Sequence, residues 1–159
     1  VAGVEQAEAF GRSARFAPRG TRGVTLGRRS YGRDDFLSAD ADDVVTIVQV
    51  EDVDRLDHLE ALARLDSIDV VFIAPNDLAA SMGLIGRGDH PDVVAAVTEG
   101  LARIVAAGGI AGTSARATTA ADRVAAGAGF LYGAVDSWLR DAAAGFVADV
   151  AGAAQRRAR

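Results

Sequence analysis

Residues 70–83 read Val70-Val71-Phe72-Ile73-Ala74-Pro75-Asn76-Asp77-Leu78-Ala79-Ala80-Ser81-Met82-Gly83. Four apolar, mostly β-branched residues form a run too short for a helix and suited to a buried strand. Ala74-Pro75-Asn76 interrupts it, and the remainder reads as a short helical turn that ends near Met82. A buried strand running directly into a helix is the unit of a parallel sheet, because parallel neighbours need a crossover between them.

The same rhythm extends in both directions. Upstream, Val44 to Val50 is a β-branched run, and Asp52 can cap a helix over Val53 to Leu65. Downstream, a Gly-rich loop from Gly83 to Asp89 leads to a helix that Pro91 opens, with Val93, Val94, Val97, Leu101, Ile104 and Val105 at helical spacing. Gly108-Gly109 ends that helix. Ile110–Thr113 then reads as a third strand, Thr118–Ala126 as a helix, and Phe130–Tyr132 as a fourth strand. A long last helix starts at Ser137, with Trp138, Leu139, Ala142, Phe146, Val147 and Val150 along one face.

The expected fold is therefore α/β: one unit over residues 1–159, with a lead-in over 1–43 and four strand–helix units over 44–159. The lead-in comprises a helix from Glu5 to Arg15, an Arg- and Gly-rich loop from Ala17 to Arg33, and a short helix from Asp34 to Ala39. Four such units are half of an eight-unit barrel, which takes about 250 residues. The chain begins with Val1, inside what reads as a helix, so it is expected to be the C-terminal half of a longer (β/α)8 TIM barrel. Such a half exposes two sheet edges, and this stretch alone is expected to associate.

Composition narrows the chemistry. All 17 basic residues are arginine and there is no cysteine. Within these residues that leaves no lysine for a Walker-A loop or a Schiff-base aldolase, and no thiolate for a zinc site or a nucleophile. No G-x-G-x-x-G follows any strand, which argues against a nucleotide-binding sheet. With 22 acidic residues the net charge is −5, unsuited to nucleic acid or anionic membrane as partners. The N-terminus lacks the pattern of a signal peptide, and a cytoplasmic location is expected.

In parallel α/β sheets, chemistry gathers at the C-terminal strand ends. Here those ends carry Gln49 and Glu51, then Asn76 and Asp77, then Ser114, and last Asp136. Adjacent strands lie about 4.8 Å apart, so Glu51 and Asp77 can converge on one hard divalent cation held by oxygen ligands. The alternative is that Asp77 caps its turn and Glu51 is solvated. N–H groups near Asn76 and Asp77, at a helix start, are also placed to receive a small carboxylate.

These strand ends carry a resemblance. Gln49-Val50-Glu51, the stretch from Val71 to Gly83, and His90-Pro91 resemble the signature of the HpcH/HpaI aldolase family, roughly Q-I-E-T, then F-I-G-P-x-D-L, then H-P-E-V. Ala14-Arg15-Phe16-Ala17-Pro18-Arg19-Gly20-Thr21-Arg22-Gly23-Val24 is similar to an upstream family motif. Ala107 to Gly112 and Val135 to Leu139 match the last two units.

The resemblance implies a class II aldolase that cleaves 4-hydroxy-2-oxo acids to pyruvate and an aldehyde, with a divalent metal (Mg²⁺, Mn²⁺ or Co²⁺) stabilising an enolate. It implies metal ligation by Glu51 and Asp77, and oxo-acid contacts from Gln49, from Asn76 and Asp77, and from the Ser114 position. It further implies a homo-oligomer that exchanges its C-terminal helix. The family's histidine base and oxo-polarising arginine lie on strands that have no counterpart here, so no catalytic residue is expected in this chain and the chain alone is expected to be inactive. His58 reads as a surface residue and His90 as a turn residue; Arg22 and Arg28 are loop arginines that can approach the site. The sequence departs from the family at Ala74, Asp52 and Phe130-Leu131-Tyr132-Gly133: Ala74 is expected to crowd the oxo acid, and Tyr132 to narrow the pocket or fill the barrel. Two further readings stand beside the aldolase: a non-catalytic half-barrel that serves oligomerisation, and a citrate-lyase-like CoA-thioester lyase.

Overall fold

β-Branched residues pack well on a pleated surface, and the runs that carry them form the strands. In a computed structural model, which describes residues 1–25, 27–39 and 44–157, these are β1 (Ile47–Val50), β2 (Val70–Ile73), β3 (Ile110–Ser114) and β4 (Ala128–Tyr132). They form one sheet in the order β1-β2-β3-β4, every pair parallel. Val50 stands opposite Ile73, and Ile73 opposite Thr113, so the strands end along a common rim. This is the parallel four-unit sheet expected from the sequence. Leu26, residues 40–43 and residues 158–159, parts of the expected lead-in and last helix, lie outside the described residues.

Helices α1 (Val4–Ala14) and α2 (Phe36–Ala39) precede the sheet, with a 3-10 turn at Arg28–Ser30 between them. After β1 the expected single helix is split: Val53–His58 is 3-10, and only α3 (Leu59–Ala63) is α-helical. Asp52 caps the 3-10 segment, its Oδ1 accepting the Asp54 N–H at 3.0 Å. β2 leads into α4 (Pro75–Ser81), and α5 (Pro91–Ala106) follows. His90 caps α5, its Nδ1 accepting the Asp92 N–H at 3.3 Å. Gly108, at φ +90°, takes the left-handed conformation just past the end of α5 that favours glycine. α6 (Ala120–Ala125) and α7 (Val135–Arg157) complete the chain.

The core lies between the sheet and the helices on one face. Val48, Val50, Val71 and Ile73 meet Leu59, Leu62, Leu78, Val93, Val97, Leu101 and Ile104, all buried. Each such side chain stabilises the fold by about 2 kcal/mol through burial. Gly100 lets α5 approach the sheet, since a Cβ there would lie 2.5 Å from Ile73 Cδ1. Arg103 on α5 donates to both Glu60 carboxylate oxygens on α3, at 2.6 and 2.8 Å. That two-pronged bond lowers the Glu60 pKa to about 2.

Continuously apolar strands suit a sheet buried on both faces, yet on the other face Gln49 is exposed and Ile47, Phe72 and Phe130 are only half-buried. Among the described residues no layer covers them. The apolar stripe of α7 is likewise not core. Trp138, Leu139, Phe146, Val147 and Val150 are exposed, and α7 has no buried residue.

Candidate functional site

The C-terminal rim follows from the strand register. One residue beyond Val50, at the end of β1, comes Glu51. Four beyond Ile73, at the end of β2, comes Asp77, in the first turn of α4. Pro75 starts that helix, so the chain turns sharply off the strand and leaves Asn76 and Asp77 at the rim. The first N–H groups of a helix have no carbonyl one turn back to bond. Ser81, at the far end of α4, ties the two strand ends together: its Oγ accepts the Val53 N–H at 3.0 Å and donates to the Leu78 carbonyl at 2.8 Å.

A cleft of about 400 Å³ opens on the uncovered face beneath this rim. Gln49, Asn76, Asp77 and Ser114 line it together, so four of the six strand-end residues named from the sequence share one space. Glu51 does not line the cleft. It stands beside it, one carboxylate oxygen accepting from the Gln49 amide at 2.7 Å. The cleft walls are aromatic: Phe72 and Phe130 meet edge to face with centroids 6.2 Å apart, and Tyr132 closes one side. Ala74 also lines it. The Tyr132 side chain is 57% exposed and lines the cleft.

The donor set suits a hard cation. Glu51 and Asp77 supply carboxylate oxygens, and the Gln49 amide fixes Glu51 at one oxygen and leaves the other free. No group of three or more His, Cys, Asp or Glu comes together among the described residues. A cation held here by two carboxylates would complete its shell with water or with oxygens of a bound substrate, as Mg²⁺ commonly does.

Other sequence candidates lie elsewhere. The Arg22 guanidinium sits over the Phe16 ring, 4.6 Å from its centroid. Arg28 begins the 3-10 turn, and neither arginine lines the cleft. His90 is engaged as a helix cap, and His58 is half-buried before α3. Sequence reasoning missed the aromatic walls, because Phe72 and Phe130 looked like ordinary strand core. It also missed Arg123, a helical residue that nothing local marks as special. The structure buries Arg123 beside a second cleft, of about 340 Å³, which meets the first at Asn76, Ser114 and Tyr132.

The family model of HpcH/HpaI aldolase/citrate lyase matches residues 1–137. A hydroxypyruvate/pyruvate aldolase of Deinococcus radiodurans is 40% identical over 140 residues, 85% of this chain and 50% of the relative. A 2-keto-3-deoxy-L-rhamnonate aldolase of Klebsiella pneumoniae is 38% identical over 140 residues, 85% of this chain and 52% of the relative. Among solved structures, an HpcH/HpaI aldolase/citrate lyase family protein from Burkholderia cenocepacia superposes with a TM-score of 0.82 at 34% identity. That match covers 94% of this chain and 62% of the other. The chain thus spans about half the length of the relatives it matches.

Proposed function

The chain belongs to the HpcH/HpaI aldolase/citrate lyase family, and on that premise we propose that the protein carrying it is a divalent-metal-dependent aldolase cleaving 4-hydroxy-2-oxo acids to pyruvate and an aldehyde. The observation that carries this reading is the single cleft shared by Gln49, Asn76, Asp77 and Ser114, with Glu51 hydrogen-bonded at its margin. The related enzymes are named for aldolase activity, which supports the reaction class.

In this reading Glu51 and Asp77 hold the cation, and Gln49 orients Glu51 while facing the oxo acid. The N–H groups of Asn76 and Asp77, at the start of α4, receive the substrate carboxylate, and the backbone at Ser114 approaches it from β3. Phe72 and Phe130 give the reacting carbons an apolar wall. When bound, the divalent cation supplies Lewis-acid stabilisation of the negative charge that develops as the carbon–carbon bond breaks. No residue of this chain is assigned as the base. The roles assigned to these 159 residues, which hold no lysine, require no Schiff base.

The decisive experiment assays the full-length polypeptide containing this sequence for pyruvate release from a 4-hydroxy-2-oxo acid, with and without a chelator. Release that disappears on chelation and returns with Mg²⁺, Mn²⁺ or Co²⁺ is expected. Release indifferent to chelation, or none with any metal, would sink the reading. The proposal extends to a homo-oligomer built through α7, because that helix exposes Trp138, Leu139, Phe146, Val147 and Val150. A monomeric mass by light scattering would overturn that part.

A further inference from the structure

Among the described residues two arginines are more than nine-tenths buried, and they are treated very differently. Arg15 is 6% exposed; its two terminal nitrogens donate to the Val44 carbonyl and to Asp69, each at 3.0 Å. Arg123 on α6 is 8% exposed and has neither a hydrogen bond nor an ion pair with any described residue. Its Nε is buried without an acceptor. Burial pulls the guanidinium below its ordinary pKa, outweighing the opposing charge of Asp122, its neighbour in sequence.

A buried guanidinium keeps its proton and presents five donors in a planar fork that matches a carboxylate or phosphate. Left unpaired it is costly, which makes its position beside an open cleft informative. Arg123 lines the 340 Å³ cleft together with Arg116 and Ser137. Arg116 is exposed on the loop after β3 and adds a second positive charge, and Ser137 adds a hydroxyl. One carboxylate, Asp89, also borders the cleft, but it is solvent-exposed and makes no ion pair with Arg123. This cleft continues into the proposed oxo-acid cleft along Asn76, Ser114 and Tyr132.

We infer that the second cleft is an oxyanion-binding site centred on Arg123, which selects substrates whose aldehyde portion ends in a carboxylate or a phosphate. The identity of the neighbouring occupant rests on the aldolase reading; the oxyanion site rests on Arg123 and its cleft. An oxo acid seated by its own carboxylate at α4 would project its far end across Tyr132 toward the unpaired guanidinium. An uncharged end there would leave Arg123 without a partner, so the site favours the anion by removing an existing penalty.

The test has a binding arm and a kinetic arm, both on the full-length polypeptide. Calorimetric titration of the metal-free protein with inorganic phosphate and with malonate, at constant ionic strength, is expected to show binding that Arg123→Met weakens at least tenfold. Arg123→Lys should restore part of it, and Arg116→Ala, on an exposed loop, should weaken it several-fold without threatening the fold. No binding by the unaltered protein, or equal binding by Arg123→Met, overturns the site.

In the aldol direction with pyruvate, the ratio of kcat/KM for succinic semialdehyde over butanal, or for glyceraldehyde 3-phosphate over glyceraldehyde, is expected to fall at least tenfold in Arg123→Met. Whichever pair responds identifies the anion. If neither ratio moves, the substrate role is overturned. Arg123-dependent phosphate binding without any pyruvate chemistry would leave the site standing and remove the aldolase reading, so the two fail separately.

Discussion

The two ends of the same strand pair handle their acidic side chains in opposite ways. At the N-terminal end, Asp69 Oδ2 accepts from the Thr46 N–H at 2.6 Å, the Thr46 hydroxyl at 2.7 Å and Arg15 at 3.0 Å. Burial raises its pKa, but the Thr46 hydrogen bonds and the Arg15 charge outweigh that and hold the carboxyl below its ordinary value. At the C-terminal end, Glu51 takes one hydrogen bond from Gln49, and Asp77 takes none from the described residues. One end uses its carboxylate to pin α1 to the sheet. The other leaves carboxylate oxygens free for something the chain itself does not supply. In parallel barrels the bottom face reads as stability and the top face as chemistry, and this sheet divides along the same line.

The largest effect that would sharpen the contrast is at Asp77. In the full-length polypeptide, Asp77→Asn is expected to lower metal-dependent pyruvate release by about 100-fold or more. Outer partners of metal ligands already cost 10- to 100-fold, and a ligand should cost at least the upper figure. Its unfolding free energy should change by less than about 0.5 kcal/mol, as for surface sites without partners. Loss of stability without loss of metal dependence would erase the distinction between the two ends.

A smaller effect is expected from the opposite end. Asp69→Ala removes three hydrogen bonds and leaves the Arg15 guanidinium buried with less company. Because the Asp69 side chain is 39% exposed, the cost is set at about 2 kcal/mol rather than the full value for a buried pair. Urea unfolding measures it, and kcat below the unfolding transition should stay within about twofold.

The smallest concerns the Glu60–Arg103 pair, which belongs to neither rim. The folded Glu60 pKa is depressed, so its contribution is complete above the unfolded value of 4.5 and is lost as pH falls toward about 2. With both side chains about one-third exposed, that contribution is about 1 kcal/mol. Glu60→Gln should remove this part of the acid dependence between pH 4.5 and 2. An unchanged acid limb would show that other carboxylates carry it.

Much of the fold was legible because its signals are local. Val70–Ile73 is a strand with the expected bounds, Pro91 opens α5, and Asp52 caps the segment after β1, each from residues within one turn of the position concerned. The helix expected over Val53 to Leu65 begins instead as a 3-10 segment. There the Val53 N–H bonds the Ser81 hydroxyl, a contact 28 residues distant that no local pattern encodes. The α7 stripe rests on the same distinction: helical periodicity reports that a face is apolar and says nothing of what covers it. For the candidate site, residue type and position at a strand end were sufficient to find Gln49, Asn76, Asp77 and Ser114, since parallel connectivity carries every strand to the same rim.

Sequence alone therefore determined the direction of the strands, and with it which residues stand at the working rim, because short β-branched runs joined by helices admit one parallel sense. Tertiary structure alone decided which polar groups are already satisfied. Whether a carboxylate is tied down like Asp69 or open like Asp77, and whether a buried arginine is paired like Arg15 or bare like Arg123, depends on partners tens of residues away. Burial, in turn, is a property of the folded neighbourhood and not of the residue.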